Sequence, residues 1–118
     1  MSVTIYHNPK CSKSRATLEL LRERGIEPKI IEYIKTPPSV KELDAILKKL
    51  GIEPRELLRT KEDAYKRARL DDKTLGRAEL LGRMVANPSV IERPIVVSGS
   101  RAAIGRPPEN VLGILSSG

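Results

Sequence analysis

The chain carries a single thiol, Cys11, within the run His7-Asn8-Pro9-Lys10-Cys11-Ser12-Lys13-Ser14-Arg15. This run joins an apolar stretch that reads as a buried strand, Val3 to Tyr6, to an amphipathic stretch that reads as a helix. A thiol at such a junction faces the unpaired N–H groups and the positive dipole end of the helix. Both favour thiolate over thiol, and the thiolate is the nucleophile. Lys10, Lys13 and Arg15 push the same way. The rival reading is a cysteine serving as a small inert hydrophobe. It fits poorly with so many polar and cationic neighbours.

A dithiol oxidoreductase carries Cys-x-x-Cys, in which the second thiol resolves a mixed disulfide. Here Ser14 stands in that place, and the chain has no other cysteine. A redox cycle at Cys11 must therefore take its reducing thiol from another molecule. A phosphatase-type loop fails on spacing: Thr17 stands where the oxyanion-binding arginine belongs, and Arg15 comes too early. One His beside one Cys, without clustered carboxylates, gives no zinc ligand set, so no metal is expected.

These groups need a scaffold, and 118 residues suit one domain, spanning 1–118. With no Phe or Trp, its core must be aliphatic. No apolar run reaches membrane-spanning length, and the amino terminus lacks the pattern of an export signal. A lone cysteine with neither feature implies a reducing, cytoplasmic setting. The 22 basic and 15 acidic residues leave a net charge of +7. They are interspersed rather than gathered in a stripe, and three tyrosines offer little stacking surface. The expectation is a solvated charged surface that attracts small anions, with no nucleic acid and no membrane as partner. No aromatic-rich patch announces an interface, so a monomer is expected.

The first helix is predicted over Ser12 to Arg24, with Thr17, Leu18, Leu20 and Leu21 towards one side and Gly25 as its stop. Lys29 to Ile34 reads as a second strand, broken at Thr36-Pro37-Pro38. Ser39 and Glu42 form a capping box for a helix that ends at Gly51. Pro54 suits the first turn of a short helix. Residues 60–75 are charged and weakly patterned, a helical or irregular excursion. A helix over Arg77 to Ala86 follows, ended by Asn87-Pro88. Pro94 to Ser98 and Arg101 to Ile104 read as a hairpin around Gly99-Ser100, and Pro107-Pro108 opens a last helix. Cysteine at the first strand-to-helix turn of this β-α-β and β-β-α order points to an α/β, thioredoxin-like fold. It would have a four-stranded mixed sheet and a helical insertion between the halves.

The segment from Ile5 to Arg15 resembles the active-site signature of the glutaredoxin-linked, ArsC-type arsenate reductases. The similarity continues through Glu27-Pro28 to Tyr33, Thr36-Pro37-Pro38, Leu57-Leu58-Arg59 and Asn87-Pro88. It then takes in Glu92-Arg93-Pro94-Ile95-Val96-Val97 and Gly105-Arg106-Pro107. The resemblance implies Cys11 as nucleophile, His7 as its support, and Arg59, Arg93 and Arg106 as the residues that hold an oxyanion. Asn8, Ser14, Arg15 and Pro94 are supporting residues, with a cis bond implied at Pro94. It further implies arsenate as substrate, glutathione as co-substrate, glutaredoxin as partner, no bound cofactor, and a covalent thiol–arsenic adduct.

Blander roles compete at several positions. His7 continues the Val3/Ile5 face of its strand and could be a satisfied, semi-buried histidine. Arg59 at a helix end could serve the dipole, Arg106 could be a surface residue, and Ser14 or Arg15 could simply start the helix. Two other functions remain open at this level. One is an Spx-like transcription regulator that binds RNA polymerase, against which Ser14, His7-Asn8-Pro9 and the arginines argue. The other is a related glutathione-dependent thiol reductase acting on another substrate.

Overall fold

The computed structural model describes residues 2–115, which form two compact units. The first is built from the chain up to Thr36 together with the segment from Arg93 onwards, and the second from Pro37–Glu92.

The first unit holds β1 (Val3–His7), α1 (Ser12–Glu23), β2 (Lys29–Glu32), β3 (Ile95–Ser98), β4 (Arg101–Ile104) and the short α5 (Leu112–Leu115), the last entered through a 3-10 turn at Pro108–Val111. The strands lie in the order β2-β1-β3-β4. β1 pairs in parallel with β2 and antiparallel with β3, and β3 pairs antiparallel with β4. This is the expected thioredoxin-like mixed sheet. On β1 the side chains alternate, so Val3, Ile5 and His7 share the buried face. Val3 and Ile5 pack with Leu21, Val96 and Val111 as an aliphatic core. Each such side chain contributes about 1.5–3 kcal/mol when fully buried.

Two details depart from the expectation. β2 ends at Glu32 rather than Ile34, because the Glu32 carbonyl accepts from the N–H groups of Lys35 and Thr36 and turns the chain. On α1 the fully buried stripe is Ser14, Thr17 and Leu21, while Leu18 and Leu20 are only partly covered. Two hydroxyls are tolerated there because each has partners. Thr17 Oγ1 donates to the Lys13 carbonyl at 2.8 Å, and Ser14 binds the loop before the helix.

The second unit holds α2 (Val40–Leu50), a 3-10 turn at Pro54–Leu57, α3 (Asp63–Arg67) and α4 (Arg77–Ala86), followed by a 3-10 turn at Pro88–Val90. The capping box at α2 is formed as read: Glu42 N–H donates to Ser39 Oγ at 3.1 Å, and Ser39 N–H donates to Glu42 Oε1 at 2.9 Å. Gly51 closes the helix at φ +69, a left-handed value that glycine adopts without steric cost. The excursion over 60–75 contains α3; Ala64 and Leu70 are buried, and arginines tie its backbone down. Arg55 donates to the carbonyls of Leu70 and Asp72, both at 2.6 Å, and Arg83 to that of Ala68 at 2.9 Å. Among the described residues no helix is long and apolar enough to cross a membrane.

Candidate active site

The loop between β1 and α1 is stapled by its own side chains. The Asn8 carbonyl accepts from Cys11 N–H at 3.0 Å, and Asn8 Oδ1 accepts from Lys10 N–H at 3.0 Å. Asn8 N–H donates to Ser14 Oγ at 3.0 Å, and Arg15 Nη1 donates to the Pro9 carbonyl at 2.9 Å. Ser14 Oγ also lies 2.6 Å from His7 Nδ1. Asn8, Ser14 and Arg15 thus fix the loop from both ends, and Ser14 is more than a helix-starting residue. His7 is buried, and burial lowers its pKa below the ordinary 6.5. Glu32 opposes that shift, while Arg15 and Arg22 add to it. The imidazole is therefore neutral at neutral pH and joins the staple through Ser14.

Cys11 takes the N-cap position of α1, whose first turn contains no acidic residue. It is 9% exposed, and the groups around its sulfur are polar. Arg106 Nη2 donates to Sγ at 3.5 Å. Arg93 also hydrogen-bonds the sulfur. No short side-chain cap bond forms, yet the amides of Ser14 and Lys13 lie close enough to favour charge on the sulfur. Burial pushes the thiol pKa up, but the Ser14 amide, the Arg93 guanidinium and the Lys13 amide outweigh it, leaving the pKa below the ordinary thiol value. This is an activated sulfur, not an inert hydrophobe.

The arginines are themselves positioned. Arg106 Nε donates to the Arg93 carbonyl at 2.8 Å, so one guanidinium bridges the Arg93 backbone and the nucleophile. Arg93 and Arg106 each precede a proline in a cis peptide bond, Pro94 as expected and Pro107 without any sequence signal. Gly105 N–H donates to the Pro94 carbonyl at 2.9 Å. A Cβ on Gly105 would meet Thr17 Oγ1 at 2.5 Å and Pro94 Cγ at 2.8 Å. Only glycine lets β4 run this close to Pro94 and α1.

Sequence reasoning gave Tyr33 no role. It is 1% exposed at the end of β2, and its hydroxyl hydrogen-bonds the Arg93 guanidinium. Burial alone would lower the Arg93 pKa, but Tyr33 and Cys11 raise it further, so Arg93 is held as a firm cation. The available signal was a tyrosine at the carboxyl end of the strand parallel to the one that leads to Cys11.

His7, Asn8, Cys11, Ser14, Arg15, Arg93, Pro94 and Arg106 all belong to the first unit. Arg59 belongs to the second, where its Nη1 donates to Glu92 Oε1 at 2.8 Å and its Nε lies 3.5 Å from Glu62 Oε2.

Residues 6–114 match the model of the ArsC family. The chain belongs to the ArsC family. It is 53% identical to an arsenate reductase of Haemophilus influenzae, over 98% of this chain and 100% of that one. It is equally similar, at 53% identity over 96% of each chain, to an uncharacterized protein of Escherichia coli K12. The solved structure of an arsenate reductase from Vibrio cholerae superposes with a TM-score of 0.94 at 52% identity, covering 98% of both chains. This ArsC family member therefore shares its thioredoxin-like α/β fold with solved relatives.

Proposed function

We propose that the protein reduces arsenate to arsenite by covalent catalysis at Cys11, with glutathione and glutaredoxin supplying the electrons. The observation that carries this reading is an activated sulfur faced by two guanidinium groups in a chain with no second thiol. The relatives named arsenate reductase support the choice of substrate.

Arsenate is a tetrahedral oxyanion, and guanidinium forks suit its oxygens. Arg93 and Arg106 hold it beside the sulfur; the family resemblance adds Arg59 as a further oxyanion contact. The Cys11 thiolate forms a bond to arsenic, and one arsenic oxygen leaves as water after gaining protons. Arsenic is still pentavalent in this adduct. Glutathione next replaces a second oxygen, forming an arsenic–sulfur bond. A glutaredoxin thiolate then attacks the glutathionyl sulfur, and the electron pair of that arsenic–sulfur bond stays on arsenic. Arsenic becomes trivalent, and the two external thiols end as a disulfide. Water releases arsenite and returns Cys11 as thiolate. Ser14, standing where a dithiol enzyme has its resolving thiol, makes the external thiols necessary. Such a cycle suits a reducing compartment such as the cytoplasm.

The test mixes the protein with arsenate, glutathione, glutaredoxin, glutathione reductase and NADPH, and measures arsenite. Turnover that needs both glutathione and glutaredoxin is expected. Folded protein that yields no arsenite above background overturns the reading.

A further inference from the structure

The cations around Cys11 outnumber the tasks found for them. No acidic residue occurs between positions 1 and 18 or between 93 and 108, the two segments that carry Cys11 and its arginines. Within them Arg93 and Arg106 hydrogen-bond the sulfur, and Arg15 Nη1 donates to the Pro9 carbonyl. Arg101 stands at the far end of the sheet, in register with Ser98, which in turn pairs with Val3. Glu32, in register with His7, brings a carboxylate to the near end, and Lys35 lies 3.6 Å from it. Lys10 and Lys13 remain. Both are exposed, and neither has an ion-pair partner among the described residues.

Lys13 also runs against the ordinary logic of a helix. It stands in the first turn of α1, where the dipole disfavours a cation. α2, α3 and α4 each carry an acid in that turn, Glu42, Asp63 and Glu79. α1 carries none, and its N-cap, Cys11, has a lysine on either side in the chain. A cation kept at a cost in stability points to a functional demand. The group of Lys13 that acts on the sulfur is its backbone amide, and Lys10 uses its N–H to close the loop on Asn8. Their side chains are flexible stems that end in point charges with three donors each. Such groups suit carboxylates that arrive from solvent.

We propose that Lys10 and Lys13 receive the carboxylates of the external thiol, so that the protein selects a small thiol with a carboxylate on each side of its sulfur. This rests on glutathione as the electron donor of the proposed cycle and makes the lysine pair its specificity-determining residues. Glutathione is a tripeptide with sulfur on the middle residue and a carboxylate towards each end. Its sulfur, delivered over Cys11, brings one carboxylate to each flank. The arginines serve the sulfur and the oxyanion, and the lysines serve the co-substrate.

The test is disulfide exchange, which needs no arsenate. The Cys11 thiolate attacks one sulfur of an added disulfide, a new sulfur–sulfur bond joins Cys11 to that half, and the other half leaves as thiolate. Rates are read by intact mass for glutathione disulfide and for an uncharged disulfide, bis(hydroxyethyl) disulfide. The wild-type ratio of the first rate to the second is expected to fall as salt is raised. Lys10→Gln/Lys13→Gln is expected to lower that ratio about tenfold by slowing the glutathione arm alone, and Lys10→Arg/Lys13→Arg to keep it. In arsenate turnover the glutamine variant is expected to raise the KM for glutathione about tenfold and leave that for arsenate within about twofold. Equal slowing of both disulfides would mean that the lysines act by ionising the sulfur, and would overturn the proposal. So would an unchanged ratio, or a raised KM for glutaredoxin with that for glutathione unmoved. Should the glutamine variant fail to fold, the wild type decides: a ratio indifferent to salt overturns the proposal. A chain that exchanges with this charge preference yet yields no arsenite fails as an arsenate reductase alone.

Discussion

In the first unit the arginines at the site face a nucleophile, whereas in the second the arginine that resemblance assigns to the anion faces carboxylates. Arg93 and Arg106 both hydrogen-bond the Cys11 sulfur, and α1 brings no acid in its first turn to compete. Arg59 lies between Glu92 and Glu62. The difference separates two tasks that one guanidinium cannot do at once. A cation left to a sulfur ionises it before substrate arrives. A cation already met by carboxylates is not among the groups that lower the thiol pKa.

The largest expected effect breaks the comparison at its centre. Cys11→Ser should lower arsenate turnover by about four orders of magnitude or more while leaving the fold intact. Full activity in a folded Cys11→Ser protein would remove the nucleophile assignment. A smaller effect distinguishes the two kinds of arginine. Arg106→Gln removes one charge-assisted contact and should cost about 10- to 100-fold in kcat/KM. It should also raise the apparent pKa of Cys11 in a pH series of alkylation rates. Arg59→Gln should raise the KM for arsenate and leave the alkylation profile where it is. If both substitutions move that profile alike, the division of labour is wrong.

Much of this was legible because it is local. The α2 capping box spans four positions, so type and spacing sufficed to read it; the run 7–15 announced a strand-to-helix turn around Cys11, but the bonds of Asn8, Ser14 and Arg15 that staple it were not read. The arginines beside Cys11 were named through family resemblance rather than by pattern, since Arg106 meets a sulfur 95 positions away. Contacts between distant segments left no local trace. The hydroxyl of Tyr33 on Arg93, the close approach of Gly105 to Pro94 and the pairing of Glu92 with Arg59 all arise from such contacts. On α1 Thr17 and Leu21 are buried as read, the Thr17 hydroxyl being satisfied by the Lys13 carbonyl, whereas Leu18 and Leu20 are only partly covered and buried Ser14 takes the remaining place. The excursion over 60–75 read as weakly patterned because its buried apolar residues, Ala64 and Leu70, are too few to show a period, and the donors from Arg55 and Arg83 that also hold it leave no periodic signature.

The finest effect separates the units by pH. The sole histidine, His7, lies in the first unit, and burial lowers its pKa below 6.5. The unfolded chain therefore binds a proton at mildly acidic pH that the folded loop refuses, so folding stability is full above about 6.5 and falls as pH drops from there towards the lowered native value. In the second unit two carboxylates have lowered values. Asp44 is held below its ordinary 3.8 by hydrogen bonds from Arg77 and Lys48, and Asp72 by those from Thr74. Their stabilisation is present above 3.8 and disappears only as pH falls through the lowered values. Both lie at the surface, so salt should screen the Asp44 contribution. Urea unfolding across the pH range should thus show two separate slopes. His7→Gln should flatten the one near neutrality and spare the acidic one, and Asp44→Asn should do the reverse. The slope is the readout, because His7→Gln also disturbs the contact with Ser14 and lowers stability at every pH. A near-neutral slope that survives His7→Gln would mean that the imidazole is not held neutral by burial, and the loop staple would lose its physical account.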